Sequence, residues 1–95
     1  MNGLRFEWDP TKAKSNLRKH RVSFEEATTV WRDPNARFFD DPSHSDEEDR
    51  GKAVGYSERG RLLAVIFTVR DDGIRLISAK KATAGEETTY AENLG

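Results

Sequence analysis

Leu62 to Val69 (LLAVIFTV) is the most continuous apolar run in the chain, and it reads as a strand covered on both faces. Asp72-Gly73, just beyond Arg70-Asp71, has the chemistry of a tight hairpin turn. Ile74 to Ala79 then returns as the partner strand. Regular alternation puts Ile74, Leu76 and Ser78 on one face and Arg75, Ile77 and Ala79 on the other. Arg75 is a charge in mid-strand, which is unusual for the centre of a sheet.

The remaining pattern borders this hairpin. Leu4, Phe6 and Trp8 alternate with Arg5 and Glu7 as a short half-buried strand. Asp9-Pro10 supplies an N-cap and a first helical residue for a helix to about His20. Its apolar side is thin, mainly Ala13 and Leu17, while Lys12, Asn16, Lys19 and His20 share a face. Ser23 and Glu26 form a capping box for a second helix, whose stripe of Phe24, Ala27, Val30 and Trp31 packs on the sheet. Asp33-Pro34 ends that helix. Ala36 to Phe39 and Lys52 to Tyr56 read as strands on either side of a polar loop, DDPSHSDEED. Thr83 and Glu86 repeat the capping pattern ahead of a helix from about Gly85 to Asn93. The order β-α-α-β-β-β-β-α predicts an α+β domain: an antiparallel sheet of four to five strands, two N-terminal helices and a C-terminal helix, with the helices on one side.

A length of 95 residues predicts one domain, residues 1–95, and equal shares of hydrophobic and charged residues (35% each) predict a modest core. With no Cys, disulfides and thiolate chemistry are excluded. No signal-peptide core and no membrane-length apolar run are present, so a cytoplasmic location is expected. The net charge of −1 conceals segregation. Residues 10–21 carry Lys12, Lys14, Arg18, Lys19 and Arg21 without a carboxylate, whereas residues 40–49 are acidic without a lysine or arginine. Residues 50–81 are basic again. Two basic segments around an acidic loop can compose a polyanion-binding face, or merely a solvated helix face and ordinary strand ends.

Phosphate-loop and nucleophile-elbow motifs are missing, and His20 and His44 lack metal-ligand spacing, so neither a cofactor nor a metal is expected. The remaining Lys, Arg, His and Glu suit RNA cleavage by the substrate's own 2′-hydroxyl, which needs a base, an acid and cations for the phosphorane. Each candidate also has a plainer reading. His20 can be a cation favoured at a helix C-terminus, and His44 a loop residue. Glu48 and Arg50 can be a surface ion pair, Arg75 half of a cross-strand pair, and Lys80 and Lys81 strand-end charges.

Three segments in order, F-x-W-D-P-x-K-A-x-x-N-x-x-K-H-x-V-S-F-E-E-A (Phe6 to Ala27), H-S-x-x-E-x-R (His44 to Arg50) and R-L-I-S-A-K-K-A (Arg75 to Ala82) with Glu86 and Tyr90, resemble the BrnT-like toxins of type II toxin–antitoxin systems. That resemblance implies a small endoribonuclease with a RelE-like fold. It also implies a ribbon-helix-helix, BrnA-like antitoxin that neutralises the toxin and brings it to operator DNA only through the joint complex. Carried over, the motif residues are Lys12, Asn16, Lys19, His20, His44, Glu48, Arg50 and Arg75. The expected catalytic set is therefore His20, His44, Glu48, Arg50, Arg75 and Lys80, with Lys12, Asn16, Lys19 and Lys81 binding RNA. Where the family usually reads I-S-A-R, this chain has Ile77-Ser78-Ala79-Lys80; lysine keeps the charge without the planar fork, which predicts weaker phosphate clamping and an attenuated enzyme. Regular alternation would also separate Arg75 from Lys80, so they share a site only if the strand bends or ends near Ala79. The competing readings are a catalytically weak toxin-like chain that acts as antitoxin partner and co-repressor, and a non-catalytic nucleic-acid-binding module.

Overall fold

The computed structural model describes residues 4–40, 50–70 and 73–94. The expected elements are found, in the order β1 (Phe6–Glu7), α1 (Pro10–His20), α2 (Phe24–Thr28), a 3-10 turn (Thr29–Arg32), β2 (Arg37–Asp40), β3 (Arg50–Tyr56), β4 (Leu62–Arg70), β5 (Gly73–Lys81) and α3 (Ala84–Leu94). They make an α+β fold around one five-stranded sheet, ordered β1-β5-β4-β3-β2. The sheet is mixed rather than wholly antiparallel, because β1 joins β5 in parallel, Phe6 facing Ile74 and Glu7 facing Arg75. Helix α1 separates these strands in sequence, which is what a parallel pairing requires.

The two faces of the sheet are unlike each other. On one, Ala53, Leu63, Val65, Phe67, Ile74, Leu76 and Ala79 pack against Val22, Phe24, Ala27 and Val30. Trp31 sits edge-on to both Phe6 (5.3 Å between ring centroids) and Phe67 (5.2 Å), so the stripe expected of the second helix is indeed core. On the other face, Val54 and Ala64 meet Tyr90 of α3, with Leu62 and Phe39 alongside. The helices therefore lie on both sides of the sheet, contrary to the expected one-sided arrangement. Alternation along β3 and β4 leaves Val54 and Ala64 as an apolar landing for a third helix on the second face.

The capping residues act largely as the sequence implies. Asp9 accepts a hydrogen bond from the Thr11 amide (2.8 Å), with Pro10 beginning α1. Ser23 Oγ accepts from the Glu26 amide at 3.0 Å. The Glu26 carboxylate does not complete that box; it turns inward, 4% exposed, where Ser57 Oγ (2.7 Å) and Arg61 Nε (2.9 Å) donate to it. Arg61 Nη2 also donates to the same carboxylate, and to the carbonyl of Arg21 at 3.0 Å. Arg21 holds a left-handed φ of 60° at the end of α1. The Arg61 hydrogen bond outweighs burial and holds the Glu26 carboxyl below its ordinary range. This cluster ties α1, α2 and the β3–β4 turn together.

Tyr90 is held in a comparable way. Asp33 Oδ2 accepts from the Tyr90 hydroxyl (2.7 Å) and from the Tyr56 amide (2.8 Å). Burial alone would raise the Asp33 carboxyl, but these donors bring it below its usual value. Burial and the neighbouring Asp33 push Tyr90 up to about 12.

The hairpin differs from its expected geometry in two respects. Gly73 is the first residue of β5, opposite Arg70. A Cβ there would lie 2.7 Å from the Arg5 carbonyl oxygen, so glycine permits the close approach of the chain leading into β1. The second difference is a bulge. Ile66 faces Ser78 and Phe67 faces Leu76, which leaves Ile77 without an opposite residue.

Candidate active site

The bulge at Ile77 moves everything after it to the opposite face from the one that regular alternation assigns. Ala79, opposite Val65, joins Leu76 and Ile74 in the helix-covered core. Ser78, opposite Ile66, and Lys80, opposite Ala64, now share a face with Arg75, which stands opposite Thr68. The separation of Arg75 from Lys80 expected for a regular strand is thereby corrected.

Helix α1 runs along the β5 edge beyond the end of β1. Its buried residue is Asn16, whose amide imitates a neighbouring strand: Oδ1 accepts from the Ala79 amide (2.9 Å), while Nδ2 donates to the carbonyls of Ala79 (2.8 Å) and Val22 (2.9 Å). Asn16 was expected to bind RNA. Its side chain is instead committed to the backbone, where it closes an otherwise open sheet edge. Docking α1 in this way brings Lys12, Lys19 and His20 against Ile77 and Ser78 in a hollow of about 170 Å³.

A larger groove of about 330 Å³ adjoins it, lined by His20, Lys52, Ala64, Ile66, Ser78, Lys80 and Glu86. It combines the C-terminus of α1, the second sheet face and the start of α3. The α3 capping box is complete: Thr83 Oγ1 accepts from the Glu86 amide (3.1 Å), and Glu86 Oε1 accepts from the Thr83 amide (2.8 Å). Glu86 Oε2 is thereby presented to Lys52 Nζ, which donates to it at 2.8 Å. Burial would raise the Glu86 carboxyl, but the lysine and the Thr83 amide outweigh it and keep it ionised below its ordinary range. The groove thus offers Lys80, His20 and a lysine whose ammonium is fixed by a carboxylate.

Other expected site residues lie elsewhere. Arg75 and Arg50 flank Thr68 on the same face, one strand to each side, but neither lines the groove. Arg50 borders a separate hollow with Phe38, Phe39 and Asp40. Arg75 has the cross-strand carboxylate that its plainer reading called for, Glu7 at 3.8 Å. Lys81, opposite Leu63, alternates away from the groove. His44, Glu48 and the turn residue Asp72 lie outside the described residues. Lys52 and Glu86 were not among the expected site residues. Their signals were the period-two spacing of Lys52 from Arg50 and the T-x-x-E box that fixes Glu86 in space.

Fold and groove together define a small α+β protein with one dry sheet face and one cationic face suited to a phosphate backbone. The family model described as the ribonuclease toxin, BrnT, of type II toxin–antitoxin systems matches residues 8–86, and the chain belongs to that family. The crystal structure of the Brucella abortus ribonuclease toxin, BrnT, is similar to it, with a TM-score of 0.66 and 25% identity over 84% of this chain and 97% of that one. A search among curated protein sequences gives no match. Among the described residues no helix is long and apolar enough to cross a membrane. Membership of a type II toxin–antitoxin toxin family implies an antitoxin as its partner.

Proposed function

We propose that the chain is an endoribonuclease that cleaves RNA in the groove of His20, Lys52, Ser78, Lys80 and Glu86, without a metal. The observation that carries this reading is the Ile77 bulge, which puts Ser78 and Lys80 beside His20 and Lys52. In the proposed step the 2′-oxygen bonds to phosphorus as the bond from phosphorus to the 5′-oxygen breaks. A base takes the 2′-hydroxyl proton and an acid protonates the leaving 5′-oxygen, giving a 2′,3′-cyclic phosphate and a 5′-hydroxyl end. His20 is the proton-transfer group in the groove; His44 and Glu48 are candidates for the second. Lys80 and Lys52 hold the non-bridging oxygens as negative charge builds on them. Glu86 is a positioning residue, keeping the Lys52 ammonium aimed into the groove.

Lysine at position 80 marks this chain as an attenuated member, since an ammonium cannot bond two phosphate oxygens as a guanidinium does. The antitoxin is of the ribbon-helix-helix type, and operator DNA is reached only through the complex, as the family resemblance implies. The test is incubation of the purified chain with RNA in excess EDTA, followed by analysis of the ends. Cyclic-phosphate ends from the wild type, with faster cleavage by Lys80→Arg, are the expected result. Cleavage abolished by EDTA, or ends other than cyclic phosphate, would refute the mechanism.

A further inference from the structure

We propose that the hollow between α1 and the bulged part of β5 holds the phosphate next to the one cleaved. The RNA strand then runs from the groove across Ser78 to Lys12 and Lys19. This inference rests on the reading of the groove as an RNA-cleaving site and adds the course that the substrate takes beyond it.

The hollow and the groove share a wall, since His20 and Ser78 line both. On the groove side Lys80 follows Ser78 by two residues of β5, about 7 Å, a step that one sugar and its two linkages can bridge. On the other side Lys12, Ser15 and Lys19 recur at i, i+3 and i+7, so one flank of α1 carries all three over about 10 Å. Asn16, bonded to the Ala79 amide and carbonyl, fixes that flank against β5. What the hollow lacks is an anion. Among the described residues Lys12, Lys19 and His20 make no hydrogen bond or ion pair, and no carboxylate lines the hollow. Lys12 and Lys19 are exposed, whereas Lys52 in the groove already has Glu86. Uncompensated cations around a concave surface concentrate positive potential there, and the adjoining groove supplies a phosphate chain to meet it.

Ser15 and Ser78 supply an independent observation. Hydroxyls within α2 and α3 bond back to their own helix: Thr28 donates to the Glu25 carbonyl (2.7 Å), Thr88 to that of Ala84 (3.1 Å) and Thr89 to that of Gly85 (3.1 Å). Ser15 of α1 makes no such bond, and the Ser78 hydroxyl has no partner among the described residues, although both are half-buried. Two free hydroxyls therefore line a hollow that holds cations and no anion, and each can donate to a phosphate oxygen.

Binding of 2′-O-methyl oligonucleotides to the full chain tests the proposal, since they carry phosphates but cannot be cleaved. A dinucleotide has a single phosphate and fills either place, whereas a trinucleotide fills both. The wild type should bind the trinucleotide about tenfold more tightly, with a salt slope steeper by about 0.7. A chain carrying Lys12→Ala and Lys19→Ala should lose that advantage while keeping its melting temperature, because both side chains are exposed. Ser15→Ala should weaken the trinucleotide about threefold, again without lowering the melting temperature, since the hydroxyl bonds nothing in the fold. Cleavage then locates the subsite. In a hexanucleotide with a single ribose only one linkage can be cut, and a neutral methylphosphonate at the linkage beside it should slow the wild type about tenfold. The same methylphosphonate should barely affect the double lysine variant, whose contact to that phosphate is already gone. A trinucleotide advantage kept in full by the lysine variant would overturn the subsite. So would a methylphosphonate penalty equal in the variant and the wild type. If the length dependence behaves as expected while the chain fails to cleave RNA, the catalytic reading falls and the subsite stands.

Discussion

The two faces of this sheet come from the same strands, yet they solve opposite problems. On the helix-covered face every inward position from Ala53 to Ala79 is apolar, and the one carboxylate nearby, Glu26, is enclosed by Ser57 and Arg61. On the opposite face, charged residues recur in every row of strand pairs: Arg50 and Arg75 beside Thr68, Lys52 beside Ile66, Lys80 beside Ala64. There α3 covers the end held by Tyr90 and pairs with Lys52 through Glu86, while Lys80 is exposed. The first face stabilises the fold, and the second carries the groove in which RNA cleavage is proposed. The extra residue at Ile77 lets β5 serve both, because it exchanges which side chains face which way partway along the strand.

If that division holds, damage to the two faces should read out differently. The largest effect is expected from Glu26→Ala, which leaves Arg61 partly buried without its anion and should cost roughly 3–5 kcal/mol in chemical unfolding. The same carboxyl predicts an acid limit. Its folded-state pKa lies below the ordinary value of 4.5, so its contribution is present above that pH and is lost as pH falls below it. Acid unfolding monitored by tryptophan fluorescence, Trp31 lying in the core, checks the sign.

An intermediate effect is expected at Tyr90, which anchors α3 to the second face. Its phenol ionises near 10 when unfolded and near 12 when folded. Its contribution is therefore complete below pH 10 and disappears as pH rises from 10 to 12, about 3 kcal/mol in all. Tyr90→Phe should remove this alkaline dependence while leaving the acid limit in place. Loss of both together would mean that the two faces do not act separately.

The smallest effect is expected at Glu86. Glu86→Gln keeps the capping hydrogen bonds and releases Lys52, at a cost below about 1 kcal/mol in stability because the pair is partly solvated. RNA should then bind a few-fold more tightly, while turnover of the bound complex falls about tenfold as the ammonium loses its aim. Unchanged turnover, whatever happens to KM, would argue against a positioning role.

Element identity was largely legible in the sequence because it rests on local chemistry: Asp9-Pro10, Ser23 with its neighbours and Thr83-x-x-Glu86 mark helix starts, and the Leu62–Val69 run marks the central strand. Two features were not legible, for a shared reason. The parallel docking of β1 and the bulge at Ile77 both depend on what lies beside β5 in space, namely Arg5, Glu7 and the Asn16 amide. Alternation along Ile74 to Ala79 therefore gave the wrong face for Ala79 and Ser78. The groove was half legible. His20 and Lys80 stood out by residue type, whereas Lys52 and Glu86 gain their meaning from each other across 34 positions. Asn16 was drawn to the right place for the wrong task, since a buried amide that completes a sheet edge has the same spacing on α1 as the exposed cations beside it.

The most direct test of the account is RNA cleavage in EDTA by Lys80→Ala beside the wild type, with thermal unfolding recorded for both. Lys80 is exposed and its side chain leaves the second face, so the melting curves should coincide while cleavage falls about a hundredfold. Wild-type cleavage rates from a folded Lys80→Ala chain would contradict the account and place the chemistry outside this groove.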